Sequence, residues 1–175
     1  MDESPPGTRH IDDFFPAWEK AMRARDAARV ASMCTEDIVW EESVLQEPLH
    51  GRAAVRDFLD DYLFRPMPDF RFEILELIVS EDDTRAADRA RFSGTFLGPV
   101  APLRFAPTGH PVQFEVAAFF EFRDGALAHF RLIVDMLDVA RQAGAAPRRG
   151  TLGDRLGVRL QHWTATRLRR RRPSR

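Results

Sequence analysis

Cysteine, lysine and tyrosine occur only once each in the sequence, as Cys34, Lys20 and Tyr62. A single cysteine excludes a disulfide within the chain, and a chain without disulfides suits a reducing compartment, so we expect a cytoplasmic protein. The start, MDESPPGTRH, lacks a basic segment followed by an apolar one, which argues against a secretion signal. No apolar run approaches the roughly 20 residues of a membrane-spanning helix.

Motifs of several catalytic classes are also missing. The five histidines, at positions 10, 50, 110, 129 and 162, are scattered and show none of the spacings of metal ligands, so no metal site is expected. No glycine-rich phosphate loop and no nucleophile elbow is present. Cys34 falls on the apolar face of a predicted helix, where we expect an inert core residue.

The charge is unevenly distributed, although the net charge is only -1. Residues 148–175 contain ten arginines and one acidic residue, which gives this segment +9 and leaves -10 for the rest of the chain. We predict that residues 146–175 form an arginine-rich basic tail that is partly disordered. Alternatively, Leu156, Leu160 and Trp163 could form one side of a short basic helix that binds an acidic membrane, nucleic acid or the acidic body of its own oligomer. The tail lacks the interleaved aromatic residues of single-strand binders, and we expect neither nucleic acid nor a membrane as partner, although the tail leaves this open.

The rest of the chain contains a high share of apolar residues, 44%, with 14 phenylalanines, and it predicts one domain over residues 11–145. Apolar spacings of three and four predict a helix from residue 11, a second short helix capped by Asp26 and a third helix over residues 51–64. Strands are predicted at 37–44, 70–80, 84–98, 111–123 and 126–136. Helices followed by antiparallel strands indicate an α+β fold, a curved sheet with helices on one face. Residues 1–10 are polar and are predicted to be disordered.

Strand alternation separates two faces in the last two strands. In the last strand the polar face contains His129, Arg131, Ile133 and Asp135, and the other face is apolar throughout. In the strand before it, Glu115, Phe119 and Glu121 share the mixed face. The polar face could be exposed to solvent or could line a pocket beneath the helices. In the second case the apolar face needs a cover of its own, which predicts a homodimer through the sheet face.

Asp135 is the most informative residue of this region, because Val134 and Met136 flank it. A carboxylate in apolar surroundings costs free energy unless it is paired, protonated or functional. An ion pair with Arg131 is one explanation. A pocket aspartate whose pKa is raised by desolvation, and which can therefore exchange protons with a substrate, is the other.

Several short motifs occur in an order that resembles SnoaL-like proteins, the small polyketide cyclases of the nuclear transport factor 2-like superfamily. They are AVRDFL, MPDFRFEILELI, RFSGTFLGP, APTGHPV, the hairpin FRDGAL and VDMLDVARQAG, and together they cover roughly residues 11–145. The resemblance implies a cone-shaped α+β barrel, in which a strongly bent antiparallel sheet and three N-terminal helices enclose one deep pocket. It also implies dimers or tetramers and no metal or organic cofactor.

The resemblance further implies a reaction and its residues. The reaction is the intramolecular aldol closure of a polyketide-like carbonyl substrate in natural-product biosynthesis, such as that of antibiotics, with an acid/base aspartate at Asp135. The assisting histidine of the family falls near Glu121, in a strand that has no histidine here, and His110 and His129 are the nearest substitutes. We therefore predict Asp135, Glu121 and His129 as catalytic residues.

The predicted ligand is a hydrophobic small molecule, polycyclic or derived from a polyketide, because apolar and aromatic side chains dominate such pockets. The residues predicted to bind it are Phe14, Trp18, Trp40, Glu42, Phe58, Tyr62, Arg91, His110, Glu115, Phe119 and Arg131. Two alternatives remain open because one scaffold can host several functions. One is an epoxide-opening cyclase or hydrolase with paired carboxylates, and the other is a ligand-binding protein without catalysis.

Overall fold

A computed structural model describes residues 10–98 and 106–170, with side chains up to residue 167. The helices are α1 (His10–Ala24), α2 (Ala27–Ser32), α3 (Arg52–Phe58), α4 (Met136–Gln142) and α5 (Leu152–Arg170). The strands are β1 (Cys34–Glu42), β2 (Leu49–His50), β3 (Arg71–Val79), β4 (Arg85–Thr95), β5 (Pro111–Arg123) and β6 (Ala126–Val134). The predicted disorder at the start of the chain lies outside the described residues, except that His10 already begins α1.

The six strands form one curved, open sheet in the order β2-β1-β6-β5-β4-β3. Every neighbouring pair of strands is antiparallel except β1 and β6, which are parallel. The prediction of a wholly antiparallel sheet is therefore wrong for this one pair. Irregularities in β1, β3 and β6 interrupt the ladders, and such bulges bend a sheet. The predicted α+β fold is confirmed, and the Asp124-Gly125 hairpin turn has the two positive φ angles of a type I′ turn.

The concave face of the sheet is the apolar one. In β5 the residues Val116, Ala118, Phe120 and Phe122 are buried, whereas those between them are exposed. Helix α1 packs against this face, with the rings of Trp18 and Phe120 5.7 Å apart. The helices therefore cover the apolar face and leave the polar face to solvent, which removes the reason for a covering second subunit.

The structure gives Cys34 another place, and Phe14 another role, than the sequence predicted. Cys34 begins β1 and does not lie on a helix, although it is fully buried and burial raises the pKa of its thiol to about 12. Phe14 is a core residue whose ring packs edge-on against Phe122, with 4.8 Å between the ring centroids. Neither position gives the side chain contact with solvent, which suits a structural role.

The C-terminal segment is more regular than the predicted tail. Helix α5 contains Leu156, Leu160 and Trp163, all of them largely exposed, and the guanidinium of Arg167 lies 3.8 Å from the centre of the Trp163 ring. The alternative prediction of a basic amphipathic helix thus describes residues 152–170 better than disorder does. Within the described parts of the chain, no helix is both long and apolar enough to cross a membrane.

Asp135 is the N-cap of α4. Its Oδ1 accepts hydrogen bonds of 3.0 Å from the main-chain N–H groups of Leu137 and Asp138. This arrangement satisfies two donors that a helix start otherwise leaves unpaired, and the negative charge suits the positive end of the helix.

Replacing Asp135 with alanine should therefore lower the free energy of unfolding by about 1 kcal/mol, because the cap is lost. Asp135→Asn is the matched control and should stay close to the wild type, since asparagine caps helices equally well. Urea unfolding followed by circular dichroism measures both values. Equal stability of the alanine variant and the wild type would show that the cap contributes nothing.

Candidate functional site

A cavity opens between the concave face of the sheet and the segments that follow α3 and β6. The open space between its lining side chains, with the solvent at its mouth included, is about 750 Å³. The walls are apolar and largely aromatic or sulfur-containing, with Phe58, Met67, Phe92, Phe96, Phe114 and Met136 among them. Among the described residues that line the cavity, Glu42 and Tyr62 alone carry ionisable groups. We call this space the outer lobe.

Glu42 enters the cavity because strand alternation places it on the inner face of β1, together with Ile38 and Trp40. The indole N–H of Trp40 donates a 2.8 Å hydrogen bond to Oε1 of Glu42. Burial raises the pKa of the Glu42 carboxyl to about 7, and the hydrogen bond from Trp40 only partly opposes this rise. The cavity thus contains a carboxyl group that is both protonated and ionised in comparable amounts near neutral pH.

Tyr62 reaches the cavity from an unusual helical segment. After Phe58 the chain continues as a π-helix, Leu59–Phe64, and such segments are rare and frequently occur at functional sites. The Tyr62 ring stacks on the Phe58 ring, with 4.8 Å between the centroids. Burial, followed by the charge of Glu42, raises the pKa of the phenol. Tyr62 is therefore a neutral hydrogen-bond donor beside Glu42.

A second, narrower space lies deeper in the molecule and adjoins the outer lobe at Glu42, Leu63, Phe92 and Leu132. We call it the inner lobe, and the space that its side chains leave free is close to the size of one water molecule. Trp18 and Trp40 form part of its wall, so both predicted binding residues do line a cavity.

The inner lobe also contains Asp88, which the sequence analysis missed. Its side chain is buried, with 6% exposed, and burial raises its pKa to about 7 against the opposing effect of the Ala118 N–H. A signal was present in the sequence, because Ala86, Ala90 and Phe92 alternate with Arg85, Arg89 and Arg91 in β4, and Asp88 falls into the apolar series. This spacing puts Asp88 on the apolar face of the strand.

Asp135 lies outside this site. It is exposed, and its carboxylate caps α4, so the prediction that this aspartate is buried is wrong. The prediction followed the apolar residues on either side, Val134 and Met136, and these do line the outer lobe. Asp135 points the other way because neighbours in an extended chain alternate between faces.

Most of the other predicted polar residues come together, but on the outer face of the sheet. Glu41 accepts a 2.9 Å hydrogen bond from Nε2 of His129 if that nitrogen carries the proton, and it lies 3.8 Å from Arg131. Glu121 lies 3.9 Å from the other ring nitrogen of His129. The expectation that these groups would line the pocket is wrong, because the helices cover the apolar face.

A second outer-face cluster contains the predicted residues Glu115 and Arg91. Glu115 pairs with Arg89 at 2.9 Å and with Arg91 at 3.3 Å, and both arginine residues hold its pKa below the usual range. Phe119 is also exposed on this face, and His110 is exposed in the turn before β5. These carboxylate–arginine pairs are thus separated from the cavity by the sheet, which weighs against the epoxide-opening alternative that would use them.

Comparison with known proteins gives one family and a set of structural relatives. The profile of the SnoaL-like domain matches residues 12–130. A proposed SnoaL-like polyketide cyclase from Jannaschia sp. CCS1 has a TM-score of 0.65 at 20% identity, over 84% of this chain and 99% of that one. A proposed polyketide cyclase from Pseudomonas putida KT2440 has a TM-score of 0.66 at 20% identity, over 78% of this chain and 99% of that one.

A third structural relative has a different proposed activity. AclR, a proposed hydroxylase from Streptomyces galilaeus, has a TM-score of 0.66 at 18% identity, over 78% of this chain and 96% of that one. At sequence identities of 18–20%, these TM-scores establish a shared fold and nothing about a shared activity. A search of curated protein sequences found no match.

The raised pKa values of Glu42 and Asp88 predict that stability falls as pH rises. Between the ordinary values, 4.5 and 3.8, and about 7, the folded chain binds more protons than the unfolded chain, so each increase in pH favours unfolding. The loss should reach up to about 3 kcal/mol for Glu42 and about 4 kcal/mol for Asp88, and it should be nearly complete by about pH 8.

Urea unfolding at pH 5 and pH 8 measures this loss in the wild type, Glu42→Gln and Asp88→Asn. Each substitution removes one titrating group and should reduce the difference between the two pH values. An unchanged difference in both variants would show that other groups are responsible.

Proposed function

The chain belongs to the SnoaL-like domain family, and from this premise we propose that it is a cofactor-independent cyclase for an apolar, polyketide-like carbonyl substrate. In this proposal Glu42, and not Asp135, is the general acid/base. Similarity to proposed polyketide cyclases supports the reaction class. The observation that carries the proposal is the one carboxyl group among the mostly apolar described residues of the outer lobe, with a phenol beside it.

The pKa of Glu42 suits proton transfer from carbon. A general base works best when its pKa lies near the operating pH, because it is then both available and strong enough to remove a proton. An ordinary glutamate, with a pKa of 4.5, is a weak base, whereas Glu42 has a pKa of about 7. The apolar walls that bind the substrate are therefore also the cause of the reactivity.

The reaction can be written with this chain's own groups. The Glu42 carboxylate takes a proton from a substrate carbon flanked by two carbonyls, which gives an enolate and neutral Glu42. The enolate carbon attacks a ketone in the same molecule, so a carbon–carbon bond forms and the ketone oxygen becomes an alkoxide. Neutral Glu42 returns its proton to the alkoxide, which leaves the carboxylate ready for the next cycle.

Tyr62 and the cavity walls supply the remaining effects. The neutral phenol of Tyr62 can donate a hydrogen bond to the enolate oxygen, where negative charge develops. The aromatic walls hold the two reacting parts of the substrate together and exclude water, so ring closure competes well with the open form. The substrate's own carbonyls stabilise the enolate by delocalising its negative charge. In other reactions a cofactor provides this stabilisation.

The first test is ring closure of an aromatic polyketide methyl ester with an uncyclised ketone side chain, followed by chromatography. Glu42→Gln should lower kcat/KM by at least ~100-fold, because the amide cannot exchange protons. Asp135→Asn is the matched control and should leave the rate close to that of the wild type. A fully active Glu42→Gln, or a folded Asp135→Asn without activity, would contradict the assignment.

Tyr62→Phe tests the proposed donor. The variant keeps the stacked ring beside Phe58 and loses only the hydroxyl group, so kcat/KM for the same ester should fall about tenfold, the value of one hydrogen bond. Phe58→Leu is the control, since it removes the stacking partner and keeps the phenol. A larger loss in Phe58→Leu than in Tyr62→Phe would make Tyr62 a wall residue instead of a donor.

A further inference from the structure

Four residues form one straight row across the inner face of the sheet. Glu42 of β1 is paired in register with Leu132 of β6, Leu132 with Ala118 of β5, and Ala118 with Asp88 of β4. Residues paired in this way point to the same side of a sheet. The two carboxyl groups of the cavity are therefore the two ends of a row whose middle is apolar.

Asp88 differs from the other acidic residues of the described chain in its exposure, because only 6% of its surface is accessible to solvent. Its Oδ1 has no hydrogen-bond partner among the described residues, although the group lines the inner lobe. A buried polar atom without a partner costs free energy, and an apolar side chain at this position would avoid that cost. An orphan oxygen directed into a cavity points to a partner that enters the cavity.

The surroundings of Asp88 leave space for one small group, such as a hydroxyl or carbonyl oxygen. Its neighbours on the inner face are small, with Ala86 and Ala90 on the same strand and Ala118 opposite. The aromatic rings of Trp18, Trp40 and Phe130 bound the same lobe. Three strand spacings of ~4.8 Å separate the ends of the row, so the carboxyl groups are at most ~14 Å apart along the sheet. A flat molecule that contacts both must be elongated and apolar in its middle.

We propose that Asp88 is a second ligand-binding group, which hydrogen-bonds an oxygen at the far end of an elongated, apolar ligand whose other oxygen lies at Glu42. This inference deepens the proposed function, since it takes the Glu42 end as the reacting end, and it specifies the substrate class. The substrate has a hydroxyl or carbonyl oxygen at the end opposite its reacting carbonyl. A substrate with only the reacting oxygen should bind more weakly, because Asp88 would stay unpaired.

Burial keeps the Asp88 carboxyl largely neutral below pH 7, so it can donate its proton in a hydrogen bond and accept one as well. This dual capacity suits either a hydroxyl or a carbonyl on the ligand.

Binding of two naphthols tests the proposal without turnover. The symmetric diol 2,6-dihydroxynaphthalene has an oxygen at each end, and 2-naphthol has one oxygen only. Both are titrated at pH 6 into the full-length wild type and Asp88→Leu, and quenching of tryptophan fluorescence gives the Kd, because Trp18 and Trp40 line the inner lobe. Asp88→Asn, which keeps a polar group that can hydrogen-bond, serves as the conservative variant.

The wild type should bind the diol about tenfold more tightly than the mono-alcohol, and Asp88→Leu should bind the two alike. Asp88→Asn should retain most of the preference. This comparison cancels any general effect of the substitution on the cavity, because both ligands meet the same variant. An equal preference for the diol in the wild type and Asp88→Leu, or no binding of the diol to the wild type, would overturn the proposal and leave Asp88 with a water or a structural role.

Failure of this inference can be told from failure of the proposed function. If the diol preference does not depend on Asp88 while Glu42→Gln still abolishes ring closure, only the second binding group is lost. If the preference depends on Asp88 while Glu42→Gln remains active, the cavity binds elongated ligands but Glu42 is not its acid/base. Circular dichroism of each variant confirms that the compared proteins are folded.

Discussion

The rest of the structure depends on the alternation of side chains along β1, β4, β5 and β6. Period-two patterning gives the sheet one apolar face, and burial of that face against α1 determines which side of every strand becomes the interior. Whatever carboxyl group the pattern places on that side is desolvated. Glu42 and Asp88 are on that side, and their raised pKa values follow from it. The charged residues of the same strands face solvent, where they form ordinary ion pairs.

The fold was largely predictable from the sequence, because its determinants are local. Turn residues such as Asp124-Gly125 and strand alternation depend on neighbours only, and the strands from β3 to β6 were predicted to within a few residues. The start of β1 was missed because Cys34, an apolar residue after a helix, continues the helical pattern in the sequence. The parallel pairing of β1 with β6 joins segments about 90 residues apart, and no local pattern specifies it.

The site was less predictable, for a related reason. Alternation correctly separated the two faces, but it does not say which face the helices cover. Both possibilities stayed open, and the choice of catalytic residues assumed that the polar face lines the pocket. Asp135 attracted attention through apolar neighbours in sequence, whereas burial depends on neighbours in space. Glu42 and Tyr62 were among the predicted binding residues, and the structure places them together. Asp88 shows which position predicts a buried carboxyl group better. An acidic residue between alanines on the apolar face of a strand is a stronger sign of burial than an acidic residue at the end of a strand.

The π-helix at Leu59–Phe64 bears on how the cavity could change during evolution. A π-helical turn accommodates one more residue than an α-helical turn, so loss of a single residue here would restore regular α-helix and turn the following side chains by about 100°. Such a deletion would move Tyr62 away from the cavity while leaving the sheet intact. One-residue insertions and deletions in this segment are thus a simple route by which related chains could exchange the hydrogen-bonding group of the pocket without altering the core.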